Sequence, residues 1–180
     1  MEALIPSKVR WSALWPAPPR HDAPFLDLAA GTGAVGLEAL SRGARPVFLV
    51  ERDRSALSAI RRNLELIHID PAGSEDIHVV RAEVGAWLAG PAREQVPCGV
   101  GVAFFDPPYG DPRLPRWIEV LAGSGLLDGE SLVVVEHRTG AAPAFPGLEV
   151  RWTRRYGDTS LTAAALPDDL QEKTDAVEPA

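Results

Sequence analysis

The passage from Phe25-Leu26-Asp27-Leu28-Ala29 into Gly31-Thr32-Gly33, with helical spacing from Val35 to Ser41, constrains this chain most. The apolar run suits a strand covered on both faces. Glycines two apart let the turn bring bare backbone close to a ligand, and the following helix presents free N–H groups at its first turn. Strand, tight turn and helix in that order open a parallel α/β crossover unit. The alternation then repeats. Val47-Phe48-Leu49-Val50 ends at Glu51-Arg52-Asp53, and Ile77-His78-Val79-Val80 follows the break Pro71-Ala72-Gly73-Ser74. Val100 to Phe105 ends at Asp106-Pro107-Pro108-Tyr109, and Leu132-Val133-Val134-Val135 ends at Glu136-His137. Between these runs, Leu57, Ile60, Leu64 and Ile67 give Ser55 to Ile67 a helical face. A short helix is predicted around Trp87 and Leu88, a loop from Gly90 to Pro97, and a helix over Leu114 to Leu121.

The pattern predicts an α/β fold, Rossmann-like and doubly wound, with a mostly parallel seven-stranded sheet. Leu148 to Trp152 and Ser160 to Ala165 flank Arg154-Arg155-Tyr156-Gly157-Asp158 and suit an antiparallel pair, giving the sheet a C-terminal antiparallel strand. The expected layout is an N-terminal helix and Pro-rich linker over 1–24, one domain over 25–166, and an acidic, disordered tail over 167–180. In such sheets ligands bind at the carboxyl ends of the strands. Asp27 to Gly36, Glu51, Glu83, Asp106 to Tyr109 and Glu136 are therefore expected along one edge.

Composition narrows the function. With 180 residues there is room for one domain and no separate recognition module. The formal charge is −7, and the segment from Pro167 onward carries −4 of it, so the acidic balance does not exclude a local basic face. Of the 18 basic residues, all but Lys8 and Lys173 are arginines. No apolar run approaches the roughly 20 residues of a membrane span. Neither a secretory leader nor zinc-ligand spacing is visible, and Cys98 is the only cysteine. A cytoplasmic location is expected.

Two constellations carry chemistry. Gly31, Gly33 and Gly36 make a G-x-G-x-x-G turn, and Glu51 at the next strand end is placed to accept hydrogen bonds from both ribose hydroxyls. Alone, this suits a dinucleotide or S-adenosylmethionine equally. Asp106-Pro107-Pro108-Tyr109 separates them. Two prolines stiffen the loop and remove two N–H donors, leaving the Asp106 carboxylate and the Pro107 carbonyl as acceptors beside the flat face of Tyr109. That set fits a planar exocyclic amine on a base. A nicotinamide oxidoreductase has no evident need for it.

At these residues the chain resembles class I S-adenosylmethionine-dependent amino-methyltransferases. The run Leu26-Asp27-Leu28-x-Ala30-Gly31-x-Gly33-Ala34-x-Gly36-Leu37-Glu38-Ala39-Leu40-Ser41-Arg42-Gly43-Ala44 is similar, more narrowly, to the RsmD family. Those enzymes methylate N2 of a guanine in 16S ribosomal RNA. Val50-Glu51-Arg52-Asp53, Glu136-His137 and Arg154-Arg155-Tyr156-Gly157-Asp158-Thr159 extend the similarity over residues 25–162. The resemblance implies a methyltransferase domain over 25–166, S-adenosylmethionine as cofactor and no metal. Asp27, Gly31 and Gly33 would hold the methionine part of the donor, with Glu51 and Arg52 at its ribose. Glu83, standing where the family has an aspartate, would lie near the adenine amine. Asp106, Pro107 and Tyr109 would hold the target guanine, whose amine attacks the sulfonium methyl in line. The implied partner is ribosomal RNA or the assembling small subunit, with the enzyme a monomer.

Ile5-Pro6-Ser7-Lys8-Val9-Arg10 matches the family's helix opening loosely, and the basic hairpin that usually precedes it is not in this sequence; a lost hairpin, which would reduce RNA affinity, and a start placed downstream of it fit equally. The alternatives are a DNA adenine- or cytosine-amino methyltransferase, and a catalytically impaired RNA-binding protein of the same fold. The five tryptophans are read as packing residues, and His68 and His78 as surface residues. Arg154 and Arg155 suit either RNA phosphate or a solvated turn, and His137 is a candidate donor or substrate contact.

Overall fold

The computed structural model describes residues 23–97 and 99–168. The expected N-terminal helix, Trp11, Trp15, Cys98 and most of the acidic tail lie outside them. The strands are β1 (Phe25–Leu28), β2 (Val47–Glu51), β3 (Ile77–Arg81), β4 (Val102–Phe105), β5 (Leu132–Arg138), β6 (Glu149–Tyr156) and β7 (Thr159–Ala165). The helices are α1 (Ala34–Ser41), α2 (Arg54–Leu66), α3 (Val84–Ala89), the single turn α4 (Ala92–Gln95) and α5 (Leu114–Ala122). Residues Gly90 to Pro97, expected to be all loop, thus contain α4. It forms because Trp87 donates its indole Nε1–H to the side chain of Gln95 at 2.9 Å, folding the segment back onto α3.

One sheet runs in the order β3-β2-β1-β4-β5-β7-β6. β1 to β5 are mutually parallel. β7 is antiparallel to both β5 and β6, so it alone runs against the rest, as expected for a hairpin strand inserted beside β5. The order reverses between β1 and β4, and crevices at such switch points take ligands.

Side chains alternate between the faces, as the pleat demands. Leu26, Leu28, Phe48, Val50, Ala103 and Phe105 pack with Trp87, Trp117 and Ile118 on one side. Phe25, Val47, Leu49, Val102 and Phe104 pack with Leu37, Leu40, Leu57 and Ile60 on the other. The run Ala163-Ala164-Ala165 fits the same logic: Ala163 stands opposite Trp152, whose ring fills the space a larger side chain would need. His78 departs from its surface reading, since it is half-buried and stacked on Phe48 with ring centroids 4.6 Å apart.

α1 packs so closely on β2 that Gly36 has no room for a side chain. A Cβ there would meet Leu49 Cδ2 at 2.2 Å, Val47 Cγ1 at 3.1 Å and Asp27 Oδ2 at 3.2 Å. Leu49 and Val47 are themselves fully buried. Gly36→Ala is therefore expected to destabilise the fold by about 1–3 kcal/mol through overpacking. Urea denaturation checks this, and an unchanged midpoint would mean that the layer yields without cost.

Candidate functional site

The glycine turn is built by backbone bonds to β2. Ala29 and Ala30 both donate to the Val50 carbonyl at 3.1 Å, and Gly33 donates to Ala30 at 2.7 Å. Gly31 and Gly33 have φ of 55° and 75°, which only glycine adopts without strain. Asp27 sits beneath the turn, 1% exposed, with Oδ2 accepting the Gly36 N–H at 2.8 Å. Burial is the main cause that pushes its carboxyl up to about 8; the Gly36 bond opposes this, while the charges of Asp106 and Glu51 add to it. Asp27 and Gly33 thus stand behind the cavity wall rather than on it.

Glu51 closes the turn from the side. Its Oε2 accepts the Gly31 N–H at 2.9 Å, and its Oε1 accepts the N–H groups of Arg52 and Asp53 at 2.7 and 2.8 Å. A carboxylate offers about four acceptor positions, so one remains, on Oε2. Asp53 caps α2 by accepting from Ala56 at 2.9 Å, and its bonds with Ser55 and Ala56 hold its carboxyl below the usual range.

Glu83 does two things at once. Oε2 caps α3 by accepting from Ala86 at 2.9 Å, whereas Oε1 is buried without a hydrogen-bond partner. The Arg113 guanidinium stands 3.8 Å from it. Arg113 itself is tied to Asp111 and lies over the Trp117 ring, 4.7 Å from its centroid. Asp111 is held below the ordinary carboxylate range chiefly by that bond.

Gly31, Glu51, Arg52, Glu83, Asp106 and the loop through Tyr109 all line one cavity of about 570 Å³. Most of the site residues expected from the sequence thus meet in one place. Asp106 is exposed toward the cavity, and the protein packed around its base desolvates it enough to raise its carboxyl above the ordinary value. Tyr109 is 49% exposed, and its hydroxyl is hydrogen-bonded to Thr159 Oγ1 at 2.9 Å. Asp111, Arg113 and Thr159 were not found from sequence. For the first two, a charged pair directly after the Asp-Pro-Pro-Tyr-Gly loop was the available signal. His137 proves to be 6% exposed, with Nε2 bonded to Thr162 Oγ1 at 2.8 Å and Nδ1 to the Arg138 carbonyl oxygen at 2.9 Å. It is committed to the sheet. Arg154 lies over the Trp152 ring at 4.7 Å.

The cavity suits a nucleoside-bearing methyl donor on chemical grounds. It offers an open acceptor position on Glu51, an orphaned buried oxygen on Glu83 suited to an amine, and a volume within the roughly 300–1,000 Å³ typical of small-molecule sites. Sheet order, glycine turn and cavity together define a Rossmann-like methyltransferase domain, a class that uses S-adenosylmethionine. A methylase of ribosomal protein L11 from Lactobacillus delbrueckii subsp. bulgaricus has this fold, with a TM-score of 0.59 at 18% identity over 82% of this chain and 71% of that one. The chain belongs to the family described as conserved hypothetical protein 95, the RsmD-like methyltransferases, whose model matches residues 10–165. It is 36% identical over 122 residues to the ribosomal RNA small subunit methyltransferase D of Escherichia coli K12, a match spanning 68% of this chain and 57% of that protein. A conserved hypothetical protein of Streptococcus pyogenes is 27% identical with a TM-score of 0.68, over 87% of this chain and 94% of the other. Among the described residues no helix is long and apolar enough to cross a membrane.

Proposed function

We propose that this protein transfers a methyl group from S-adenosylmethionine to the exocyclic N2 amine of a guanine in small-subunit ribosomal RNA, in the cytoplasm. The observation that carries the reading is the shared cavity: the Asp106–Tyr109 loop opens into the same space as Gly31, Glu51 and Glu83. Acceptors for an amine therefore stand beside acceptors for a ribose and an adenine. The relatives named for ribosomal RNA methylation support the substrate class.

The bound donor supplies an electrophilic methyl on a sulfonium. This chain's residues hold and orient the rest. Gly31 and Glu51 present the turn and one ribose acceptor, with Arg52 fixed beside them through its backbone N–H. Glu83 Oε1 gains a partner in the adenine amine, which would offset the cost of a buried unsatisfied oxygen. Asp27 and Gly33 act by holding the turn in place. Asp106 and the Pro107 carbonyl accept the N–H groups of the guanine amine, so that its nitrogen faces the donor. The Tyr109 ring stacks on the base. Asp106 is placed to receive the proton released when nitrogen gains the methyl.

The test is a transfer assay with S-adenosylmethionine on naked 16S RNA and on assembled small subunits, followed by nucleoside analysis for N2-methylguanosine. Donor binding without methyl transfer to either substrate would overturn the proposal in favour of a binding protein. Glu51→Gln should weaken donor binding about tenfold or more in calorimetry, because an amide nitrogen would replace an oxygen that accepts a backbone N–H. Unchanged affinity would remove Glu51 from the donor site.

A further inference from the structure

We propose that the cavity on the far side of the Pro107–Tyr109 loop takes the base of a nucleotide adjoining the target guanine. The inference rests on the RNA reading above and extends it to a second base site. The cavity measures about 540 Å³ and shares Pro107, Pro108, Tyr109 and Asp111 with the donor cavity, so the loop is a partition with a chamber on each side. Pro112, Pro115 and Pro143 supply rigid apolar walls beside Tyr109, whose aromatic ring is the kind of surface on which a base stacks. Arg138, the last residue of β5, lines the same chamber and is exposed, with no ion pair among the described residues. Apolar walls for a base and an exposed guanidinium for a phosphate match a nucleotide held from base to backbone.

Chain continuity points the same way. With the donor in the first chamber and the target amine at Asp106, the neighbouring nucleotide lies one backbone step away, and the second chamber adjoins it across the loop. The Tyr109 hydroxyl is fastened to Thr159, which keeps the ring upright between the two chambers. Sequence-specific RNA recognition favours splayed single-stranded bases held in this manner.

The test is a binding cycle without chemistry. Fluorescein-labelled single-stranded RNA heptamers with a central guanosine are titrated at low salt by anisotropy, with S-adenosylhomocysteine saturating. Two further heptamers carry an abasic nucleotide immediately 5′ or immediately 3′ of that guanosine. With the unaltered protein, one abasic heptamer should bind about tenfold more weakly than its parent. Ala141→Trp fills the chamber from an exposed position; it should weaken the parent heptamer about tenfold and erase the abasic penalty, the non-additivity of two changes at one contact. Arg138→Ala should weaken parent and abasic heptamers alike, and neither variant should alter donor affinity. Equal binding of all three heptamers, a full abasic penalty surviving in Ala141→Trp, or no measurable heptamer binding overturns the inference. Failure to form N2-methylguanosine while the cycle behaves as stated would strike the proposed chemistry alone.

Discussion

Asp106→Ala is expected to lower the single-turnover rate of methyl transfer about a thousandfold while leaving the affinity for S-adenosylmethionine within about threefold. The size follows from what the substitution removes: the one side-chain acceptor for the amine, which is also the group placed to take its proton, a role worth about 10²–10⁴. Donor binding survives because Gly31, Glu51 and Glu83 reach the cavity from other strand ends. The pH profile adds a second readout. Desolvation raises the Asp106 carboxyl above its ordinary value, so the ionised form appears only as pH climbs through that raised value. The rate of the unaltered protein should rise across that range and level off above it, and the residual rate of Asp106→Ala should lack this limb. A single-turnover rate unchanged by the substitution would remove Asp106 from the reaction.

What the sequence disclosed and what it withheld have separate physical causes. The strands were legible because Val47 to Val50 and Val102 to Phe105 are buried on both faces, and such runs admit no polar alternation. The carboxyl-edge residues followed, since topology alone puts strand ends on one side. Side-chain direction did not follow. His137 looked available because it ends β5 beside Glu136, yet strand parity turns it toward Thr162 on β7. Asp27 looked like a contact for the donor because it adjoins the glycine turn, but its carboxyl is spent on Gly36 from below. Tyr109 and Thr159 are fifty residues apart, and only the β6–β7 hairpin folding back beside β5 brings them together. Glu83 is the instructive middle case. It lines the cavity just past β3, and its extra methylene relative to aspartate accompanies a split role, one oxygen capping α3 and the other buried without a hydrogen-bond partner.

Asp27 should make the stability of the donor-free protein fall as pH rises from about 4 to about 8. Its carboxyl titrates near 3.8 in an unfolded chain and is pushed up to about 8 in the fold, chiefly because burial disfavours the charge. Between those values the folded protein holds a proton that the unfolded chain has released, so unfolding gives up a proton and becomes easier with each step in pH. The limiting slope for one proton is about 1.4 kcal/mol per pH unit, which makes the loss between pH 5 and pH 7 about 2–3 kcal/mol. Below about 4 both states are protonated, and above about 8 both are ionised, so the contribution is flat outside the window. Asp27→Asn cannot ionise, and its amide oxygen can still accept the Gly36 N–H. Urea denaturation at intervals from pH 4 to 9 should show the slope in the unaltered protein and its loss in the variant, with the variant gaining relative stability toward the alkaline end. Parallel curves for the two proteins would mean that Asp27 is ionised in the fold at neutral pH. A neutral Asp27 also bears on the site. The Gly36 bond holds the glycine turn without placing a third negative charge behind Glu51 and Asp106, both of which already disfavour it. The acidic residues at this strand edge thus divide their work, the buried one uncharged and structural, the two that face the cavity left to bind.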